Sequence, residues 1–486
     1  MTKDAAPLRS DSATFQLARL PATELLAGYR ARRFTPVDVI DDVIGALQVT
    51  DARCNVVATD MYATARAQAQ QAAAAWASGE PTGPLTGVPV TIKDLLFVAG
   101  VPAHAGAPTL ADFVPDQDSA AVAALKAAGA VLTCKSTTCE SGYKLTADSP
   151  LTGITRNPWK LDRTSGGSSG GAAAAVAAGA GPLAIGTDAV GSIRVPSSFC
   201  GVFGVKPTFG LVPRSPSFFP PSWGSLAHTG PIGRTVADVA LLLEVVAHYD
   251  ARDPVSLPVA PRRYETTPGQ LRGLRIAASV DLGFAVVAPS VRNAFAKVTD
   301  VLADLGADVG ALKPGLNAGL LEEVLQPIGF CEQAAAVMFR DPSEMKRSEP
   351  EFQAVVAKGL TVRGIDYVNA LHKRAQLRAR LLDILKPVDA LITPSVAVTA
   401  FAAGTIGVDT IDGQKVDAHL GWSPFSWPIN LAGLPAASVP CGFDSEGLPI
   451  GFQIVAPWLK EQTIFRIAAA FEAARPWQDH WPSFAQ

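Results

Sequence analysis

The 486-residue chain carries 41 Lys and Arg against 44 Asp and Glu, a formal net charge of -3, and is 48% hydrophobic but only 17% charged. Average soluble chains are about 25% charged, so this composition excludes a disordered chain, which needs high charge and few apolar groups, and favours a large core with little surface. The near-neutral balance, with an isoelectric point near 6.1, lacks the basic excess that phosphate neutralisation requires, so no nucleic-acid partner is expected.

Taken in chain order, the amino-terminal segment has an early Lys3 but no apolar run behind it, so neither a secretory leader nor a membrane anchor is expected. Thr35, Pro36 and Asp38 form a helix-start signal, and Val39, Ile40, Val43, Ile44 and Leu47 follow at helical spacing. Residues 61–78 are Ala- and Gln-rich and predict a second helix. Four short apolar runs read as buried strands: Val88 to Ile92, Ala130 to Cys134, Leu274 to Val280 and Ile450 to Val455. Leu125 in a helix, Gly129 as its stop and a strand from Ala130 make the step of a layered α/β fold. The most apolar stretch, Gly170 to Gly186, is mostly Ala and Gly and too short to span a bilayer. Pro254, Pro258, Pro261 and Pro268 predict an extended, exposed crossover over 250–270. Beyond it Val291, Phe295, Val298, Leu302 and Leu305 form a helical stripe stopped by Gly306. The six cysteines show no CxxC spacing and read as reduced core thiols of a cytoplasmic protein. The six histidines show no paired ligand spacing, so no metal and no other cofactor is expected.

The chemistry concentrates in two Gly-flanked, Ser-bearing turns. The first is Gly166-Gly167-Ser168-Ser169-Gly170-Gly171, and the second runs from Gly186 to Pro196 through Asp188, Gly191, Ser192 and Arg194. A phosphate loop would need GxxxxGK[ST], which is absent, and neither Ser sits in a GxSxG elbow. Such turns offer a hydroxyl beside backbone N–H groups able to hold an oxyanion. Serine needs a base, and no His stands in a comparable context. Lys93, closing the run Gly87 to Ile92, is the candidate: buried there, its ammonium would be disfavoured and a neutral amine made available. The alternative for a lone Lys after a strand is a snorkelling surface residue.

These residues resemble the amidase signature family. The likeness is carried by Gly166 to Pro196, by the Lys93 segment, and by their intervals of 75 and 24 residues from Lys93 to Ser168 and from Ser168 to Ser192. Arg156 to Trp159, Phe199 to Thr208, Gly230 to Leu243 and Asn430 to Gln453 extend it over roughly 20–480. The resemblance implies an α/β amidase-signature fold, a large mixed central sheet covered by helices on both faces. It also implies one domain over 1–486, helical over about 1–60 and most variable, on the substrate side, over 250–390. It implies a catalytic Ser192 nucleophile, Ser168 (in a cis peptide) as proton relay, Lys93 as base, and an oxyanion hole from the N–H groups of Ala189, Val190, Gly191 and Ser192. Asp188 and Arg194 would pin the two turns, and Arg194 would help depress the Lys93 pKa.

Cys139, Ser141 and Gly142 are expected to line the substrate site. Phe218, Phe219, Trp223, Phe425 and Trp427 either add stacking surface there or pack as ordinary core. Two positions depart from the family pattern. Val190 replaces a usual Gly, which is costly if the site needs positive φ, or else merely trims the pocket. Cys139 replaces a frequent Pro and reads as a buried spectator rather than a reactive thiol. The implied activity is hydrolysis of small-molecule amides, with anilides and aryl carbamates (urethanes) in range, by a protein acting without nucleic acid or membrane, as a monomer or homodimer. The alternative is the glutaminase subunit of a tRNA-dependent amidotransferase complex.

Overall fold

The computed structural model describes residues 15–219, 221–338, 340 and 342–485. Its centre is an 11-stranded mixed sheet. At one end Val131–Ser136, Pro89–Lys93 and Leu183–Asp188 run parallel as neighbours, with Val57–Asp60 antiparallel at the edge. The sheet continues through His228–Gly233, Phe203–Lys206, Ala436–Phe443, Pro449–Val455 and Ala390–Pro394, and finishes with Arg275–Ala278 and Asp308–Ala311. The four expected strands are all present, each within two residues of its expected ends.

Alternation along the strands distributes side chains to two faces. Val90, Ile92, Leu132, Leu183, Ile185, Phe452 and Ile454 share one core with the helices Ala120–Ala127, Val236–Val246 and Glu461–Ala474. The alternate residues Val131 and Ala184, with Cys134 beyond a register shift in its strand, pack with Pro36–Cys54 and Gly170–Ala177, and Leu391 and Val455 with Gly364–Leu385 and Trp427–Ala432. Helices therefore cover both faces.

Local signals set the elements. Thr35 and Asp38 form a full capping box at the start of Pro36–Cys54. Gly79 and Gly306, with φ of +79° and +92°, follow the helices Tyr62–Ser78 and Pro289–Asp304. The crossover after Asp250 has no helix or strand before Arg275, and the strands on either side of it join the same sheet. It is less exposed than its prolines suggest, because Asp253, Ser256 and Tyr264 are buried and the Tyr264 ring packs 4.7 Å from that of Phe465. The residues beyond it, to Lys386, are mainly helical but also supply two sheet strands, Arg275–Ala278 and Asp308–Ala311.

All three parallel strands end at the same edge. Lys93 is the last residue of its strand and pairs with Ser136, the last of its neighbour, while Thr187 and Asp188 close the third. Ligand sites of open α/β sheets lie outside such carboxyl ends.

Candidate active site

The Gly-rich turn lies against the chain after Val131–Ser136. A Cβ on Gly167 would fall 2.2 Å from the Thr146 carbonyl oxygen, and one on Gly171 2.3 Å from Thr137 Oγ1. Only glycine permits that approach. The peptide joining Gly167 to Ser168 is cis. Behind it, Gly170–Ala177 is built of Gly, Ala and one Val, every residue buried, so the turn seats deep in the molecule.

Lys93 is fully buried. Its Nζ lies 2.8 Å from Ser168 Oγ, 2.9 Å from Ser169 Oγ and 2.9 Å from Thr187 Oγ1, with the Thr187 carbonyl oxygen at 3.4 Å. Burial pulls its pKa from 10.5 to about 7, against the opposing pull of Cys139 and Asp188. The hydrogen-bond directions follow from counting donors. Ser169 Oγ donates to the Thr187 carbonyl (3.0 Å) and accepts from the Thr187 N–H (3.3 Å), so toward Lys93 it can only accept. A neutral amine then donates to Ser169 and Thr187 and keeps its lone pair for the Ser168 hydroxyl. The arrangement can take a proton from Ser168.

Ser192 is buried, and its Oγ has no hydrogen-bond partner among the described residues. The two turns meet where the Ser169 N–H donates to the Ser192 carbonyl at 3.1 Å. Ser168 and Ser192 line one narrow cleft, of about 40 Å³, with Leu95, Ser141, Gly142 and Phe218. A Cβ on Gly142, whose φ is +67°, would sit 3.4 Å from Ser168 Oγ, so glycine there keeps space open beside that hydroxyl.

Asp188 organises the second turn. Its carboxylate accepts from the N–H groups of Gly191 (2.8 Å) and Ile193 (3.1 Å), and from Arg194 Nε and Nη2 (3.0 Å each). Burial pushes its pKa up, but Arg194, Lys206 and Asn430 outweigh that and hold it well below the usual carboxylate range. The Arg194 guanidinium, also fully buried, reaches Gln453 Oε1 (2.6 Å), the Ser426 carbonyl (3.1 Å) and Asn430 Oδ1. Asp188 and Arg194 thus fix the second turn to the carboxy-terminal third and make no bond to the first. The expected contribution of Arg194 to the Lys93 pKa is not found; burial accounts for the shift, and the Arg194 charge is matched by Asp188.

The structure departs from two expectations, the free Gly191 N–H and the cleft-lining Cys139, and decides between the alternatives at Val190. The Gly191 N–H is committed to Asp188, so it is not free for an oxyanion; Ala189, Val190 and Ser192 are the turn residues whose N–H groups have no internal acceptor among the described residues. Positive φ falls on Gly191 (+133°) and not on Val190, whose side chain is buried beside a neighbouring cavity without the backbone cost of a β-branched residue at positive φ. Cys139 sits behind the cleft wall: it is fully buried, its Sγ meets the Lys144 backbone, and burial pushes its thiol up to about 12. Ser141 does line the cleft, at φ +51°.

The aromatics divide. Phe218 and Trp223 line the cleft, Phe425 and Trp427 are core, and Phe219 is 91% exposed. Sequence reasoning passed over Ser169 and Thr187, although both lie inside the two Ser-bearing turns, and over Arg214, a charged lining residue whose Nη1 donates to the Gly224 carbonyl at 3.2 Å. Among the described residues no group of three or more His, Cys, Asp or Glu could hold a metal ion, and no helix is long and apolar enough to cross a membrane.

The chain matches the family model "Amidase" over residues 38–465. An acylamidase of Rhodococcus erythropolis is 34% identical over 469 residues, spanning 96% of this chain and 97% of its own. A glutamyl-tRNA(Gln) amidotransferase subunit of a Cyanothece species is also 34% identical, over 92% and 96%. Among solved structures, a bacterial aryl acylamidase of the amidase signature family superposes with a TM-score of 0.88 at 28% identity, covering 94% of this chain and 96% of that one. A substrate complex of 6-aminohexanoate cyclic dimer hydrolase gives 0.87 at 28%, over 96% and 100%. With a buried amine, two serines and an open cleft at the carboxyl ends of its parallel strands, the chain belongs to the amidase signature family and is an amidohydrolase of non-peptide C–N bonds.

Proposed function

We propose that the protein hydrolyses small amides bearing an aryl group, anilides first and aryl carbamates (urethanes) second, through an acyl-enzyme on Ser192. The observation that carries this reading is the pairing of a buried amine, 2.8 Å from Ser168, with an unpartnered Ser192 hydroxyl in a cleft walled by Phe218 and Trp223. Ser168 passes its proton to the neutral Lys93 amine and takes that of Ser192, whose Oγ attacks the carbonyl carbon. The developing oxyanion is held by the N–H groups of Ala189, Val190 and Ser192. As the C–N bond breaks, Ser168 returns a proton to the departing nitrogen and is reprotonated from Lys93. Water then repeats the sequence on the Ser192 ester and frees the acid. Ser141 and Gly142 border the acyl group, and Asp188 and Arg194 hold the turn.

Free glutamine is the poorer fit. Its α-ammonium calls for an anion and its α-carboxylate for a cation, whereas Arg214 is the one charged side chain among the described lining residues, and no carboxylate accompanies it. We read the chain as one unit, since strands from both sides of the 250–270 crossover share the sheet, and as a cytoplasmic protein, in keeping with six unpaired cysteines. Amine release from acetyl p-nitroanilide and from an N-aryl carbamate, beside the Ser192→Ala variant, tests the assignment. Turnover absent from the variant is expected; glutamine cleavage with neither aryl substrate touched would reverse it.

A further inference from the structure

A second, small cavity with about 20 Å³ of free space lies behind the cleft, lined chiefly by apolar groups including Val190, Leu325, Phe330, Val355 and Leu420. One residue belongs to both spaces: Trp223. The wall around it is thin, because successive residues face opposite sides. Gly142 and Ala189 border the cleft, while Tyr143 and Val190 border the cavity.

The indole is held in place rather than loosely packed. It is 7% exposed, its Nε1 donates to the Gly142 carbonyl at 3.2 Å, and its backbone stands at φ +53°, a region unusual for a bulky residue. From the far side it rests on Gly329, where a Cβ would meet Trp223 Cζ3 at 2.5 Å. The helix carrying Gly329 is preceded by a π-helical turn, Leu321–Leu325, a distortion common beside functional sites.

We propose that Trp223 sets the length of substrate the enzyme accepts, because its indole fills the space between the cleft and this small apolar cavity, and without it the combined space would receive the aryl or branched-alkyl end of a longer amide. The inference rests on the amide-hydrolase reading above. An apolar pocket wall discriminates by excluding groups that have nowhere to go, and removing the wall gives them buried, matching surface. Polar groups at the cavity, Gln326, Asp417 and His419, are outnumbered by apolar ones, so the added space suits hydrocarbon rather than a charged tail.

The test is the ratio of kcat/KM for a long apolar substrate to that for a short one, in two series. One lengthens the acyl group of a p-nitroanilide from acetyl to phenylbutyryl, and the other lengthens the amine of an acetamide. Trp223→Ala is expected to raise the ratio about tenfold or more in at least one series. Adding Val355→Phe to that variant refills the cavity and is expected to reverse the gain. Gly329→Ala, which presses the indole toward the cleft, is expected to lower the ratio below wild type. Unchanged ratios in both series for Trp223→Ala, with acetyl p-nitroanilide still cleaved, overturn the proposal and leave the hydrolase assignment standing. If Trp223→Ala does not fold, Trp223→Phe decides in its place: a smaller rise supports, an unchanged ratio overturns. A folded wild type inert toward every anilide and acetamide overturns both readings together.

Discussion

The substitution Thr187→Val probes the Lys93 amine without removing it. Thr187 Oγ1 is 2.9 Å from Nζ, and valine keeps the shape of threonine while deleting that oxygen. The ammonium has three N–H groups to satisfy and finds Ser168, Ser169 and Thr187 around it. Deleting one acceptor costs the cation a charge-assisted hydrogen bond of about 1.5–3 kcal/mol, but costs the neutral amine only about 0.5–1.5 kcal/mol. The difference, about 1 kcal/mol, disfavours the charged form and corresponds to nearly one pKa unit. The Thr187 carbonyl oxygen at 3.4 Å recovers part of it. In the wild type, kcat/KM is expected to climb about tenfold per pH unit below an apparent pKa of about 7 and to level above it, since the neutral amine is the active form. In Thr187→Val the rising limb is expected to move toward acid by about half to one unit. Initial rates of p-nitroaniline release at intervals from about pH 5 to about pH 9 read both curves. A wild-type profile without an inflection, or an alkaline shift in the variant, would refute a neutral Lys93 acting as base.

Ser192→Ala is expected to lower turnover by about 10⁴ or more while leaving the melting temperature in place, because Ser192 Oγ has no hydrogen bond to lose; surviving hydrolysis would point to another nucleophile. Gly191→Ala places a Cβ 2.6 Å from Ser426 Oγ at φ +133°, so a stability loss of about 1–3 kcal/mol and a fall in kcat are expected together, and an unshifted melting curve would contradict the strain argument. Asp188→Asn leaves the buried Arg194 guanidinium unmatched, for which about 3–5 kcal/mol of stability is expected to go. Because the folded state holds the Asp188 pKa below its ordinary 3.8, the carboxylate's contribution is present above that value and is lost as pH falls through the folded pKa. Thermal melts from about pH 6 downward should therefore fall less steeply for the variant than for the wild type, and parallel curves would sink the argument.

What the sequence disclosed was mostly local. The capping box at Thr35, the glycine stops and the strand closed by Lys93 each depend on neighbours a few positions away. The partners of Lys93 depend instead on parallel register: Ile92 lies opposite Ile185, which brings Thr187 to the level of the amine, and no single-strand pattern states that pairing. The role of Gly191 is masked in the sequence by the unusual Val190 beside it, whereas the positive φ and the bond to Asp188 both belong to the glycine. Phe425 and Trp427 resemble pocket aromatics in composition, but their burial comes from packing against the 364–385 helix and its neighbours, a contact between distant segments. Trp223 was visible as an aromatic in a loop; that it divides two spaces required the helix carrying Gly329.

The clamp on Arg194 has a consequence for the order in which the molecule becomes competent. Residues 93, 168 and 192 have all left the ribosome before the chain is half made, but the guanidinium that steadies the Ser192 turn waits for Ser426, Asn430 and Gln453. The strand bearing Gln453 must also insert beside Ala436–Phe443 in the middle of the sheet, not at its edge. Pairing at such sequence separation is slow and late. The nascent enzyme therefore stays inert toward amides around it until nearly its whole length has been released, and fragments ending short of residue 453 would be inactive although they contain every residue of the chemical step.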